Sequence, residues 1–238
     1  MQKMLGFIRR ACQEFMLIES GDKIAVGVSG GKDSVVLLAG LAKMRRFAEF
    51  DYDLHAITLD PCFNKTPGDF SPVKALCDAL QIPFTLIKTD IAEIVFDIRK
   101  ESNPCSLCAK MRRGALHDAA KALGCNKIAL GHNNDDVIET FVMNLFREGR
   151  IGCFAPKTYL SRKDLIMIRP LVFAPEQQVV SCCKRNGFNV VKSSCPADKA
   201  SERQNIKVFL QKMEQGDKGF KQRIFGALRK GNVNGWGY

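Results

Sequence analysis

Long apolar runs are missing from this chain. No stretch approaches the roughly 18 residues that a bilayer-spanning helix requires, so no membrane association is expected. An export signal is missing too: Arg9 and Arg10 interrupt the first apolar stretch, whose hydrophobic residues recur at helical spacing. Without export, the ten cysteines argue against a disulfide framework, and a cytoplasmic location follows as the expectation. No second Cys-x-x-Cys accompanies the one at 105–108, which argues against a complete four-cysteine zinc ribbon. The Walker pattern and the Gly-x-Gly-x-x-Gly fingerprint are both absent. There is no internal repeat and no low-complexity tract.

What is present fits a soluble globular protein. The 238 residues suffice for one large or two small domains, and 46% hydrophobic with 26% charged residues is ordinary for a packed chain. The net charge of +11 and a pI near 9.2 suit a polyanionic partner such as nucleic acid, although the same charge fits a basic surface with no ligand. Cys12, Cys77, Cys125, Cys182 and Cys183 stand in helical or strand-flanking contexts and read as small core hydrophobes.

Apolar periodicity predicts a helix over 1–18, then short buried strands alternating with helices. Strands are expected at 23–28, 53–59, 83–88 and 126–131, with helices at 34–46, 71–81, 91–99, 108–123 and 135–147. A loop is expected over 101–107. Beyond Gly149, Gly152 and Pro156 a mobile loop is expected, then a strand at 165–169, a helix at 174–186 and a short strand at 188–192. Two Lys/Arg-rich helices follow over 200–230, and the glycine-bearing tail from Gly231 to Tyr238 is expected to be loose. This alternation predicts an α/β fold with a doubly wound, mainly parallel sheet and helices on both faces. The expected division is an N-terminal helix at 1–20, an α/β domain at 21–192, and a cysteine loop with basic helices packed on it at 193–238.

Ser29-Gly30-Gly31-Lys32-Asp33-Ser34 follows a buried strand and opens a helix. Glycines allow close backbone approach to phosphate, and the unpaired amides of a helix start point at an anion. Ser29 and Ser34 add hydroxyl donors, Lys32 neutralises charge, and Asp33 either holds Mg²⁺ or caps the helix. A second strand-to-helix junction, Gly131-His132-Asn133-Asn134-Asp135-Asp136, carries paired carboxylates that suit capping or Mg²⁺ ligation. The first loop resembles the Ser-Gly-Gly-x-Asp-Ser signature of the PP-loop ATP pyrophosphatase superfamily. That resemblance implies that the loop grips the pyrophosphate of ATP while AMP is transferred to a substrate oxygen. It also favours a metal role for Asp135 and Asp136. Ala25, Gly27, Thr58, Leu59 and Gly131 are the expected surroundings of the adenosine.

Cys105 and Cys108, in Pro104-Cys105-Ser106-Leu107-Cys108, stand at a loop-to-helix boundary that favours thiolate. Alone they fit a redox pair, half a zinc site or part of an iron–sulfur site. Cys195 could close on them; three thiolates on a [4Fe–4S] cluster would leave one iron open to sulfide. Pro-Cys-Ser-Leu-Cys, then Met111-Arg112-Arg113-Gly114-Ala115-Leu116, the Gly-His-x-x-Asp-Asp segment and Ile168-Arg169-Pro170-Leu171 with Glu176 resemble the TtcA family of tRNA 2-thiocytidine synthetases, in order from about 22 to 210. The resemblance implies a [4Fe–4S] cluster on Cys105, Cys108 and Cys195, with Cys182 and Cys183 as competitors for the third position. It implies ATP-dependent thiolation of C2 of an anticodon-loop cytidine. Lys32, Asp33 and Asp135 would then be catalytic alongside the three cysteines.

Lys110, Arg112 and Arg113 are candidates for RNA or nucleotide contact, or else a solvated helical face. Lys43-Met44-Arg45-Arg46 and Lys218 to Lys230 are candidates for the phosphate backbone, a contact that weakens steeply with salt. Expected partners are tRNA and a sulfur donor such as a cysteine desulfurase, with a homodimer left open. Rival readings are a PP-loop enzyme adenylating another base, a lysidine-type or amide-forming synthetase, and a non-catalytic RNA-binding relative.

Overall fold

A computed structural model describes residues 1–100, 104–192, 194–196 and 202–237. The chain begins with helix α1 (Gln2–Phe15) and then alternates: β1 (Asp22–Gly27), α2 (Lys32–Arg45), β2 (Tyr52–Asp60), α3 (Ser71–Leu80) and β3 (Phe84–Lys88). A π-helical turn (Glu93–Ile98) leads to α4 (Pro104–Ala122), β4 (Lys127–Ala129) and α5 (Asn134–Arg147). A hairpin of β5 (Lys157–Leu160) and β6 (Leu165–Ile168) follows, then α6 (Glu176–Arg185), α7 (Glu202–Gly216) and α8 (Phe220–Lys230).

The six strands form one sheet in the order β3-β2-β1-β4-β6-β5, all parallel except β5 against β6. The expected fold class holds. Alternation along each strand divides the core in two. Ile24, Val26, Leu54, Ala56 and Ala129 face a large core with α1 and α2, whereas Ala25, Ile57, Leu59 and Ile128 face Leu116 and Ala120 of α4. From β1 the chain moves outward to β2 and β3, then returns across to β4. Ligands in such sheets bind beyond the strand ends where the direction of winding reverses, here between β1 and β4.

Four expectations change. Residues 104–107 are not loop: Pro104 starts α4, consistent with the preference of proline for the first helical turn. The opening of that expected loop, and residues 200–201 of the expected helix, lie outside the described residues. Residues 188–192 form no strand. They cross the β1–α2 loop instead, with the Val191 amide donating to the Gly30 carbonyl at 3.0 Å. The antiparallel β5 was not anticipated, and the tail is not loose around Trp236. That indole is fully buried against Phe15 and Phe225, and its Nε1 donates to the Phe154 carbonyl at 2.8 Å.

The segments expected as separate share the larger core, which includes Met4 and Ile8 of α1, Ile206 and Leu210 of α7, Leu228 of α8, and Trp236. Among the described residues no helix is long and apolar enough to cross a membrane. Trp236→Ala empties a large buried volume and orphans the Phe154 carbonyl. A loss of about 3–5 kcal/mol in unfolding free energy is expected, measured by urea denaturation at equilibrium.

Candidate functional site

Two helices begin at the junction of β1 and β4, and they begin differently. No side chain caps the first turn of α2, whose N-cap is Gly31 in extended conformation. Its first amides therefore have no partner within the helix and face outward. By contrast, α5 carries a reciprocal capping box: Asn133 accepts from the Asp136 amide at 3.1 Å, and Asp136 accepts from the Asn133 amide at 2.9 Å. Only the α2 turn is left open to an anion.

Packing fixes that turn. Gly30 has φ +80, and a Cβ there would lie 2.7 Å from Val191, so both its conformation and the crossing segment require glycine. A Cβ on Gly131 would lie 3.0 Å from the backbone of Asp33 and Ser34. Asn133 Nδ2 donates to Asp33 Oδ1 at 2.9 Å, tying the β4–α5 loop to the first. Ser34 donates its hydroxyl to the Gly31 carbonyl at 2.9 Å and lies 3.3 Å from the Ser29 hydroxyl. Lys32 Nζ lies 2.9 Å from Asp33 and 3.0 Å from Glu176. Burial opposes its charge, but the two carboxylates outweigh this and hold its pKa above the usual lysine value.

The loop opens onto a cleft of about 590 Å³. Of the residues expected around ATP, the structure brings Gly27, Ser29, Asp33, Ser34, Leu59 and Gly131 to its lining. Gly30, Gly31, Lys32, Ala25 and Thr58 are not in that lining. Ala25 is buried in the smaller core, and Thr58 is buried with its hydroxyl donated to the Val28 carbonyl at 2.6 Å. The two adjacent carboxylates separate. Asp136 lines the cleft, whereas Asp135 accepts from the Glu176 amide at 2.7 Å and from Lys221 Nζ at 2.8 Å. Of the two carboxylates expected to act here, Asp135 is therefore engaged with α6 and α8, and Asp136 is the one that reaches the cleft. Burial, with Asp33 adding to it, raises the Asp136 pKa against its bond to the Asn133 amide and the Arg203 charge.

Helix α4 connects this cleft to the cysteines. Its Arg112 and Arg113 line the cleft, while Lys110 is exposed outside the lining. Cys105 is exposed and Cys108 half-buried on the same helix. Burial pushes the Cys108 thiol up, the nearby Arg112 guanidinium opposes this, and the thiols of Cys195 and Cys105 add to it. Cys195 is thus near enough to Cys108 to act on its charge. Cys182 and Cys183 are buried in the larger core, where Cys183 donates to the Phe188 carbonyl. Cys12, Cys77 and Cys125 are buried as expected of core residues. Among the described residues no three His, Cys, Asp or Glu side chains converge as ligands of a single metal ion.

The basic runs are partly spent on structure. Arg229 is buried and bonded to Glu14, Lys221 pairs with Asp135, and Arg223 with Asp217. Sequence reasoning did not single out His117, His132, Phe154 or Arg169 as site residues, yet all four line the cleft. His132 and Arg169 stood inside quoted motifs. His117 and Phe154 carried no local signal.

Two outcomes follow. Gly131→Ala forces the α2 turn outward, so ATP affinity should fall by at least about tenfold with only a small change in stability; isothermal titration and thermal denaturation of the same preparation check this. Glu139, one turn beyond Asp136 and 5% exposed, has its pKa pushed up to about 7 by burial and by Asp136, against Lys207 and Arg203. The folded state holds this proton more tightly than the unfolded state, so its contribution is full below about 4.5 and is lost as pH rises through about 7. Glu139→Gln should flatten that decline and be more stable than wild type at pH 8, measured by denaturation at pH 5 and pH 8.

Comparison with known proteins agrees with this geometry. Residues 5–214 match the PP-loop domain family. The tRNA-cytidine(32) 2-sulfurtransferase of Pelobacter propionicus is 39% identical over 87% of this chain and 78% of its own length. That of Geobacter sulfurreducens is 38% identical over 98% of this chain and 90% of its own. In structure, the U34-tRNA thiolase NcsA from Methanococcus maripaludis, solved with its [4Fe-4S] cluster, superposes with a TM-score of 0.73 at 24% identity, over 94% of this chain and 75% of that one. An α2 start that no side chain caps, a thiol-bearing helix on the same cleft and this similarity along nearly the whole chain lead to one conclusion: the chain belongs to the PP-loop family, among the tRNA-cytidine(32) 2-sulfurtransferases.

Proposed function

We propose that this chain catalyses ATP-dependent thiolation of cytidine 32 in tRNA, exchanging the C2–O bond for a C2–S bond and releasing AMP and pyrophosphate. The observation that carries the reading is the double role of α4, which bears Cys105 and Cys108 at its start and lines the nucleotide cleft with Arg112 and Arg113 one turn later.

The oxygen at C2 of a pyrimidine is a poor leaving group. Attack of that oxygen on the α-phosphorus of ATP expels pyrophosphate and turns the oxygen into part of AMP, which leaves readily when sulfur binds C2. The open amides of the α2 turn, with Ser29 and Ser34, hold the departing pyrophosphate, and Lys32 offsets its charge. Asp33 and Asp136 are the carboxylates that would hold Mg²⁺ beside those phosphates; the Asp33 charge adds to the cost that burial sets on ionising Asp136, a cost that a cation offsets. Arg112 and Arg113 contribute positive charge where the phosphates and the RNA backbone meet. Gly27 and Leu59 at the ends of β1 and β2, with Gly131 after β4, leave room for adenosine in the cleft.

Cys105, Cys108 and Cys195 are the residues that would hold a [4Fe–4S] cluster, which when bound supplies a coordination position for the incoming sulfur. Burial holds the Cys108 thiol protonated, and the Arg112 charge offsets part of that cost toward the thiolate a cluster would bind. The third ligand is Cys195 rather than Cys182 or Cys183, on the strength of its proximity to Cys108. The remaining partners are tRNA and a sulfur donor such as a cysteine desulfurase.

Reconstituted protein incubated with ATP, sulfide and tRNA should release AMP and pyrophosphate and yield 2-thiocytidine by nucleoside mass spectrometry. Cys195→Ser should lose most of its iron and sulfide after anaerobic reconstitution, whereas Cys183→Ser should keep wild-type content. The reverse pattern would move the third ligand into the core.

A further inference from the structure

Buried polar atoms are nearly always hydrogen-bonded, and those that are not call for a partner outside the chain. Among the described residues, His117 Nε2, His132 Nδ1 and Arg169 Nε are buried side-chain nitrogens without a hydrogen-bond partner, and all three side chains line the nucleotide cleft. They come from three separate elements: α4, the loop after β4, and the residue that follows β6. Their convergence is therefore a property of the tertiary fold and not of one segment.

Arg169 is the most constrained of the three, at 7% exposed. Its Nη1 donates to the Ala155 carbonyl and to Thr158 Oγ1, its Nη2 contacts Met167 Sδ, and its guanidinium lies 4.8 Å from the Phe154 ring centroid. Its Nε–H, one of five donors on the guanidinium, has no partner in the chain. His132 packs on the same Phe154 ring at 4.8 Å. Burial, reinforced by Arg169 and Arg203, pushes its pKa down to about 3, and burial with Arg113 also lowers that of His117. Both rings are therefore neutral near pH 7, and each can accept a hydrogen bond.

The lining of the cleft is of two kinds. Ile57 and Leu59 of β2, with Leu116 and Leu130, give the cleft an apolar side, and the three orphaned nitrogens stand on residues beyond β4 and β6 and on α4. The apolar side suits a purine stacked on hydrocarbon. We propose that Arg169, His132 and His117 form a base-reading subsite for the extruded target cytosine, distinct from the site of the ATP adenine. This rests on the adenylation reading above, which requires C2–O of the target to face the α-phosphate. With O2 so committed, recognition falls to N3, an acceptor, and the 4-amino group, a donor. Arg169 Nε–H matches N3, and a neutral imidazole matches the amino group. Uracil presents N3–H instead, placing donor against donor, and a site built for one pattern rejects the other. Reading an unstacked loop base by its Watson–Crick edge is how single-stranded RNA is commonly recognised.

The test uses Arg169→Gln and His117→Ala in the full chain with its cluster. His117 donates no bond that holds the fold, so it keeps the test open if Arg169→Gln unfolds. Each protein is titrated with the α,β-methylene analogue of ATP, then assayed for AMP release and for filter-retained tRNA, with tRNAs carrying C32 or U32. The analogue should bind within about twofold of wild type. The kcat/KM for C32 tRNA should fall by at least about tenfold, and the preference for C32 over U32, in turnover and in binding, should collapse toward one. If analogue affinity falls in step with turnover, the three nitrogens serve the adenine and the proposal is overturned. An unchanged C32-to-U32 ratio overturns it too. If wild type releases no AMP with either tRNA, the adenylation reading fails, and the binding preference for C32 over U32, present in wild type and lost in the variants or not, still decides the subsite.

Discussion

The close approach of Gly131 to the backbone of Asp33 and Ser34 is the contact on which the cleft depends. It joins the ends of β1 and β4, the two neighbouring strands at which the winding reverses. Because no Cβ separates them, the Asn133 amide group reaches Asp33 and the capped α5 starts beside the uncapped α2. The chain thus satisfies its own donors at one helix start and leaves those of the other for a ligand. The Val191 amide closes the far side of the same loop through Gly30.

Charge extends this arrangement to the C-terminal helices. Glu176 bridges Lys32 and Lys207, Asp136 meets Arg203, and Asp135 meets Lys221. Isolated exposed ion pairs stabilise a fold by about 0–1 kcal/mol. These are partly screened from solvent and linked, and their main effect is to fix direction: α7 and α8 can seat on α5 and α6 in one register only. Lys32 is therefore held by Asp33, which lines the cleft, and by Glu176, so its ammonium is oriented by the fold.

The sequence made the loop readable because its chemistry is local. Serines and glycines between a buried strand and a helix have few other uses, and β1, α2 and the parallel core follow from the same periodicity. Asp135 and Asp136 were harder. Successive residues on a helix diverge by about 100°, so adjacency in sequence conceals which carboxylate faces the cleft; the capping box of Asn133 and Asp136 resolves it. Val190 and Val191 read as strand residues, yet the Val191 amide serves Gly30 and not a ladder. The glycines of the tail outweighed Trp236, whose pocket is built by Phe15 and Phe225 from distant segments. His117, Phe154 and Arg169 meet only through the tertiary fold, and no local pattern could have assembled them.

The most direct measurement of the account is amide hydrogen exchange of the anaerobic protein with and without the α,β-methylene analogue of ATP. The uncapped amides at 31–34 should gain protection on binding, together with those around 131–136, which pack on them. Protection elsewhere, with both segments unchanged, would contradict the assignment of this turn as the phosphate cradle.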